Sequence, residues 1–332
     1  LEKVVVSGRQ SGGLPNFNLR RLPVWPIDGR MTYRGLVFCL LLLTPLAAWA
    51  QPNSRLLSPD NVSQVSPHVW MIKGFPNIGI VVGAKATLVI DTGLGTKNGQ
   101  IVAGVAKRLS PKGQELYLTT THYHAEHAAG DGGFPDGTIV IRPRIQQQEL
   151  EAEGQKLIDL FSSRSPEDKE LLADARINQA NILFDGSYDL DLGGVTVGLY
   201  WFGGAHTKGD ELVLIQPDSV LFSGDVVQNK AGPYFYCADC TPQTWLAVLN
   251  QVAKLNPKIV IPDHSPPGDG TLIAQERDVM AWLNSRIAAL KASGATAEQA
   301  TQTLNAEAKD KFPGWTSFNH MDLAVAHSYA AP

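Results

Sequence analysis

The chain has 332 residues, a hydrophobic content of 44% and a formal net charge of −4. That length suits one large domain or two small ones. No basic run accompanies the charge, so nucleic acid is not an expected partner, and the few low-complexity tracts point to an ordinary globular protein.

Residues 1–50 are expected to lie outside the fold. Residues 1–30 are polar, carry Gly and Pro, and read as a disordered upstream leader ahead of a candidate initiator, Met31. A short basic start through Arg34 leads into the apolar stretch Leu36–Leu43, and Ala48-Trp49-Ala50 precedes Gln51. A basic start, an apolar core and an Ala-x-Ala site together predict a secretory signal peptide over 31–50. The apolar core is short of the ~20 residues that span a bilayer. The expectation is therefore a mature domain over 51–332, periplasmic or secreted, with no stable membrane anchor after cleavage.

Strands are expected at His68–Lys73, Ile78–Gly83 and Ala86–Asp91, then a helix at Lys97–Leu109 and a strand at Leu116–Thr121. Residues 145–172 read as helical, with a break near Ser162–Pro166. Strands return over Tyr188–Phe202, Glu211–Gln216 and Val220–Ser223. A helix at Thr244–Leu255, a strand at Ile259–Pro262 and helices at Gln275–Ala292 and Thr296–Lys309 follow. Strands then helices, twice over, predict an α/β fold arranged as a four-layer αββα sandwich.

The chemistry is concentrated after the Leu116–Thr121 strand, where His122, His124, Glu126 and His127 fall within six residues. Imidazole nitrogen and carboxylate oxygen are zinc ligands, and a catalytic zinc keeps one position open for water. His122 and His124 alternate about Tyr123 and can point the same way, while Glu126 and His127 turn back, which suits two adjacent metals better than one. Further donors stand just past other strands: His206 in a Gly-rich turn, Asp225 after Val220–Gly224, and His264 after Lys258–Asp263. In open α/β sheets, that carboxyl-end edge is where sites form.

With Cys39 leaving in the signal, Cys237 and Cys240 remain. They fit half a zinc knuckle, a redox pair or a short disulfide. No second pair completes a zinc knuckle and no thioredoxin-like context surrounds them, so in an oxidising compartment a local disulfide is expected. It would stiffen the Gly232–Tyr236 loop.

On these motifs the chain resembles the metallo-β-lactamase fold superfamily, whose pattern is His-x-His-x-Asp-His, a later His in Gly-His-Thr-x-Gly, an Asp in a Gly-Asp turn and a late His. The resemblance runs from about Val69 to about Leu283. It implies one metal on His122, His124 and His206 and a second on Glu126, His127 and His264, with Asp225 bridging them. An anion between two dications relieves their repulsion. Two zinc ions per chain are expected, with iron or manganese as alternatives. Asp91 matches the family's upstream Asp-x-Gly turn and is expected to support the ligands from behind. The chain departs from the pattern at Glu126, which is one methylene longer than the usual Asp. Glu126 is open to three roles: holding the second metal from a displaced backbone, shifting that metal, or carrying a proton. Asp263 stands where many relatives have Gly, and either hydrogen-bonds His264 or faces water.

The chemistry implied is hydrolysis, with a metal-activated water attacking a carbonyl and Glu126 or Asp225 orienting it. The expected substrate is a small molecule: a β-lactam, lactone or ester. Phe75 is the candidate apolar tip of a loop over the site, and Lys208 and Lys230 are candidate cations for a substrate carboxylate. Gln228, rather than a lysine, stands three residues after Asp225. Two other readings are an iron-dependent oxygenase on the same ligands and a metal-binding protein with little turnover. Oligomeric state is not legible.

Overall fold

The layering follows from which side chains alternate. In β4 (Ala86–Ile90), Ala86, Leu88 and Ile90 pack into one apolar cluster and Val89 into another. In β10 (Leu212–Gln216), Val213 and Ile215 join the cluster of Ala86, Leu88 and Ile90, while Leu212 and Leu214 face away. Successive strand residues point to opposite faces, so two sheets each bury both faces. Three clusters result: one between the sheets and one outside each sheet, beneath helices. The computed structural model describes residues 54–316, 318 and 321–331. The expected leader and signal segments, 1–30 and 31–50, lie outside the described residues.

The first sheet takes its strands in chain order: β1 (Val62–Ser66), β2 (Val69–Ile72), β3 (Ile78–Val82), β4, β5 (Glu115–Thr119), β6 (Ile139–Pro143) and β7 (Ile182–Phe184). Helix α1 (Thr96–Leu109) covers its outer face through Val102, Val105 and Ala106. The second sheet is formed by β8 (Ser187–Asp191), β9 (Thr196–Tyr200), β10, β11 (Val220–Gly224), β12 (Ile259–Pro262) and β13 (Gly268–Asp269), in spatial order β13-β12-β11-β10-β9-β8. Its outer face packs on Trp245, Val248, Leu249 and Val252 of one helix (Pro242–Leu255) and on residues of the helices Thr271–Ala292, Ala297–Lys311 and Met321–Ala330. This is the expected α/β, four-layer αββα sandwich. Phe222 is wholly buried between the sheets. Truncating such a ring to alanine typically costs about 3–5 kcal/mol.

Strand direction then fixes where a site can form. Strands β4 and β5 are parallel, so Asp91 and His122 leave the first sheet at the same edge. Strand β10 is antiparallel to both β9 and β11, and β11 is parallel to β12. The carboxyl ends of β9, β11 and β12 therefore share one edge of the second sheet, and the segments after them carry His206, Asp225 and His264.

The structure departs from the expected elements in several places. The strand expected to reach Thr121 stops at Thr119, because the Thr121 backbone N–H is taken by Asp91 Oδ1 at 2.7 Å. The stretch Tyr188–Phe202 is two antiparallel strands, turned at Gly193 and Gly194, whose φ values of 85° and 78° suit glycine. Strands β1, β6, β7 and β13 and the final helix Met321–Ala330 were not among the expected elements, and the helix expected from Gln275 begins at Thr271. Among the described residues no helix is long and apolar enough to cross a membrane.

Candidate active site

The short helix Ala125–Ala128 follows His124 directly and carries Glu126 and His127 on its single turn. Thr92 clamps that turn: its backbone N–H and its hydroxyl both donate to the His127 carbonyl, at 2.9 and 2.7 Å. Gly224 lets the second sheet approach. Its φ is 56°, and a Cβ there would lie 2.9 Å from the Thr121 Cβ. Only glycine combines that backbone with that contact, and Asp225 is delivered beside the histidines as a result.

Seven expected donors converge. His122, His124 and His206 place ligand atoms within 4.8 Å of one another, and so do Glu126, His127 and His264. Asp225 lies between the two sets: Oδ2 is 3.4 Å from His206 Nε2, and Oδ1 is 3.4 Å from His264 Nε2. Nitrogens approach closely across each set, with His206 Nε2 3.3 Å from His124 Nδ1 and His127 Nε2 3.2 Å from His264 Nε2.

The outer nitrogens decide which face inward as lone pairs. His206 Nδ1 donates to the Tyr234 carbonyl at 2.6 Å, which leaves Nε2 as an acceptor. His127 Nδ1 lies 3.1 Å from Asp91 Oδ2 and 3.4 Å from Asp263 Oδ2. Carboxylates there hold the proton on Nδ1 and turn Nε2 toward His264. Asp263 thus serves His127, and neither hydrogen-bonds His264 nor faces water as expected. The Thr121 hydroxyl sits between the same two carboxylates, 3.0 Å from Asp91 Oδ2 and 2.9 Å from Asp263 Oδ2. Gln228 braces Asp225 by donating to Oδ1 at 2.9 Å, and its own carbonyl oxygen accepts from the Ser265 hydroxyl at 2.7 Å.

The donor chemistry fits a metal. Burial, with the neighbouring imidazoles adding to it, pushes the pKa of His122 and His124 well below the usual imidazole value. Burial also lowers His206, and it takes His264 down to about 3. Burial pulls His127 the same way, but the charges and hydrogen bonds of Asp91 and Asp263 outweigh it and its pKa is raised. Burial lifts Glu126 to about 7 and raises Asp225. Imidazoles held neutral at His122, His124, His206 and His264, with carboxylates short of positive partners, are what a dication needs, and at His127 the dication would take the place of a proton. His122 Nε2 and Glu126 Oε2 are buried with no hydrogen-bond partner, and a metal would satisfy both. The further group Asp91, His127 and Asp263 meets on the outer nitrogen of His127, where a proton suffices.

The expected substrate contacts fare differently. Phe75 is half-buried, and its ring centroid lies 4.1 Å from that of His264, so it forms a wall of the site. Lys208 is spent elsewhere, since its ammonium pairs with Asp239 at 2.9 Å. Lys230 is exposed in left-handed backbone, its carbonyl accepting from Thr316. Cys237 and Cys240 form a disulfide, just past Tyr234, whose carbonyl holds His206. Sequence reasoning named Phe75 and expected a stiffened Gly232–Tyr236 loop, but did not single out Tyr236, whose ring centroid lies 4.2 Å from that of His124. No periodicity or spacing ties that ring to the histidine cluster.

Among solved structures, the stereoselective inverting sec-alkylsulfatase Pisa1 from Pseudomonas sp. shares 17% identity and a TM-score of 0.63, covering 81% of this chain and 50% of that one. This chain therefore spans about half the length of that sulfatase. A metallo-beta-lactamase from Pontibacter korlensis shares 20% identity and a TM-score of 0.53, over 66% of this chain and 98% of that one. TMB-1 gives 20% and 0.53, over 69% and 99%. At such identities the likeness speaks for the fold. Among curated proteins none matches this sequence. The profile of the metallo-beta-lactamase superfamily, a superfamily of metal-dependent hydrolases, matches residues 71–264. With the site's donors inside or at the end of that span, the chain belongs to the metallo-β-lactamase superfamily.

Proposed function

We propose that this protein is an exported hydrolase using two zinc ions to cleave a β-lactam, a lactone or an ester. The observation that supports this reading best is Asp225, one oxygen facing each histidine set. Zinc bound there would lower the pKa of a coordinated water from ~15.7 to about 7 and polarise the scissile carbonyl. His122, His124 and His206 would hold one ion; Glu126, His127 and His264 would hold the other. Glu126 and Asp225 are the carboxylates placed to orient the attacking water and take its proton. Asp91 and Asp263 keep His127 in one tautomer, and the Tyr234 carbonyl does the same for His206. Export rests on the signal-like segment 31–50 and agrees with a disulfide at Cys237 and Cys240.

The deciding experiment is zinc stoichiometry on the processed protein, beside turnover of a panel of lactams, lactones, esters and alkyl sulfates. Alkyl sulfates belong in the panel because an alkylsulfatase shares the fold over 81% of this chain. Two zinc ions per chain, and hydrolysis abolished by His124→Ala under saturating zinc, are expected. Equal hydrolysis by the two proteins would remove the enzymatic reading. Oxygen uptake by iron-loaded protein, with no hydrolysis by zinc-loaded protein, would favour an oxygenase instead.

A further inference from the structure

Asp225 has a stricter condition to meet than the histidines. The last torsion of an aspartate side chain is broad and roughly two-fold, yet a carboxylate that bridges needs its plane fixed, with one oxygen toward each ion. Gln228 supplies that constraint. Its Nε2 donates to Asp225 Oδ1 at 2.9 Å and to the Gly224 carbonyl at 3.4 Å. Oδ1 is the oxygen nearer His264, so the amide acts on the side of the second ion.

Gln228 is itself held at both ends. The Ser265 hydroxyl donates to its Oε1 at 2.7 Å, while Ser265 Oγ accepts from the Asn229 N–H at 2.8 Å. With its oxygen occupied by that N–H, the serine has its proton to give to the glutamine. The Gln228 backbone N–H donates to Glu276 at 3.3 Å. Ser265 follows His264 directly, and its carbonyl accepts from Asn77 Nδ2 at 3.1 Å. The same nitrogen donates to the Pro262 carbonyl at 2.8 Å, and the Asn77 N–H donates to the Asp263 carbonyl at 2.7 Å. Asn77 is the last residue before β3 and ends the loop that carries Phe75. Asn77 and Gln228 are both buried. One hydrogen-bonded chain, from Asn77 through Ser265 and Gln228 to Asp225, thus joins the wall of the site, the His264 segment and the bridging carboxylate.

We propose that Gln228 is a positioning residue for Asp225, and that the Ser265 hydroxyl keeps its amide the right way round. This rests on the two-zinc reading above and adds the residues outside the ligand set that govern the second ion. With the amide in place, Oδ1 stays toward His264 and Oδ2 toward His206. Without it, the carboxylate turns about its last torsion and the second ion loses its share. Partners behind metal ligands are typically worth about 10–100-fold in affinity or activity.

The test measures zinc affinity on full-length protein, by competition with a chromophoric chelator, in Gln228→Met, Ser265→Ala and Ser265→Thr. Methionine is close to glutamine in length and cannot donate. Gln228→Met should weaken the second equivalent about tenfold and leave the first within about twofold. Ser265→Ala should weaken the second equivalent severalfold, and Ser265→Thr, which keeps the hydroxyl, should restore it. On zinc-saturated protein, Gln228→Met should lower kcat about tenfold with KM unchanged for any ester the wild type hydrolyses, because the bridge acts on the reacting water and not on substrate binding. An unaltered second equivalent in Gln228→Met, equal weakening of both equivalents, or Ser265→Thr no better than Ser265→Ala overturns the proposal. A second readout needs neither turnover nor added metal: hydrogen exchange of the Gln228 side-chain amide, followed by NMR on protein with isotopically labelled glutamine. Exchange should be slow in wild type and faster in Ser265→Ala. Exchange as fast as that of exposed glutamines, or unaffected by Ser265→Ala, sinks the serine's part. If wild type takes up fewer than two zinc ions, the two-zinc reading fails on its own, while amide exchange still decides whether Ser265 fixes Gln228.

Discussion

His127 and His264 present their Nε2 atoms to each other at 3.2 Å, one from the first sheet's edge and one from the second's. His127 Nδ1 is occupied by Asp91 and Asp263, which leaves Nε2 as its nitrogen available to a metal, opposite another imidazole. A shared cation resolves that confrontation, and the residues behind His127 determine how well it does so.

Asp263→Asn should therefore weaken the second zinc more than the first. Outer partners of metal-bound histidines are typically worth about 10–100-fold in affinity. Titration against a chromophoric chelator should show one tight and one weakened equivalent. Two equivalents of unaltered affinity would show that Asp263 does not position His127.

Glu126→Asp tests reach. The Thr92 clamp on the His127 carbonyl fixes the backbone of that helical turn, so a side chain shorter by one methylene cannot be compensated by moving the chain. The second zinc should bind about tenfold more weakly, and Glu126→Gln, lacking the charge, should be worse. Tighter binding in the Asp variant would place Glu126 outside the ligand set.

Glu276 gives a pH prediction free of the metals. It is buried on the helix Thr271–Ala292, accepts from the Gln228 backbone at 3.3 Å, and burial lifts its pKa from 4.5 to about 8. The folded chain prefers the protonated acid. Its contribution to stability is complete below the unfolded value of 4.5 and is lost as pH rises through about 8. Glu276→Gln stays neutral, so its stability relative to wild type should climb across that window, with a slope approaching ~1.4 kcal/mol per pH unit. Urea unfolding at a series of pH values reads this directly; parallel curves would contradict it.

Replacing Cys237 and Cys240 by serine should cost about 2 kcal/mol from the closed loop alone. Just before that loop, the Tyr234 carbonyl accepts from His206 Nδ1, and the Tyr236 N–H donates to the His206 carbonyl at 2.9 Å. Zinc at the first set should loosen severalfold in the same variant. Lower stability with unchanged zinc affinity would limit the disulfide to a structural part.

The ligands were legible because each follows an apolar run that ends in a polar donor, a pattern that survives without tertiary information. Strand β1 was not, since its pairing with β2 shifts register between Gln64 and Ser66 and breaks the period of two. Strand β6 was hidden by Arg142, a charge buried against Asp131 that interrupts an otherwise apolar pattern. Lys208 looked available beside His206 in the chain, yet Asp239 claims it in space.

The donors are divided between the two sheets: His122 to His127 come from the first, and His206, Asp225 and His264 from the second. A bound pair of ions would consequently act as a rivet through the sandwich, reinforcing halves already joined by apolar side chains and by polar bonds such as Thr121 to Asp263. Stripping the ions should let those halves part at that rim first, with amides beside His122 and Asp225 exchanging sooner than those at the opposite rim.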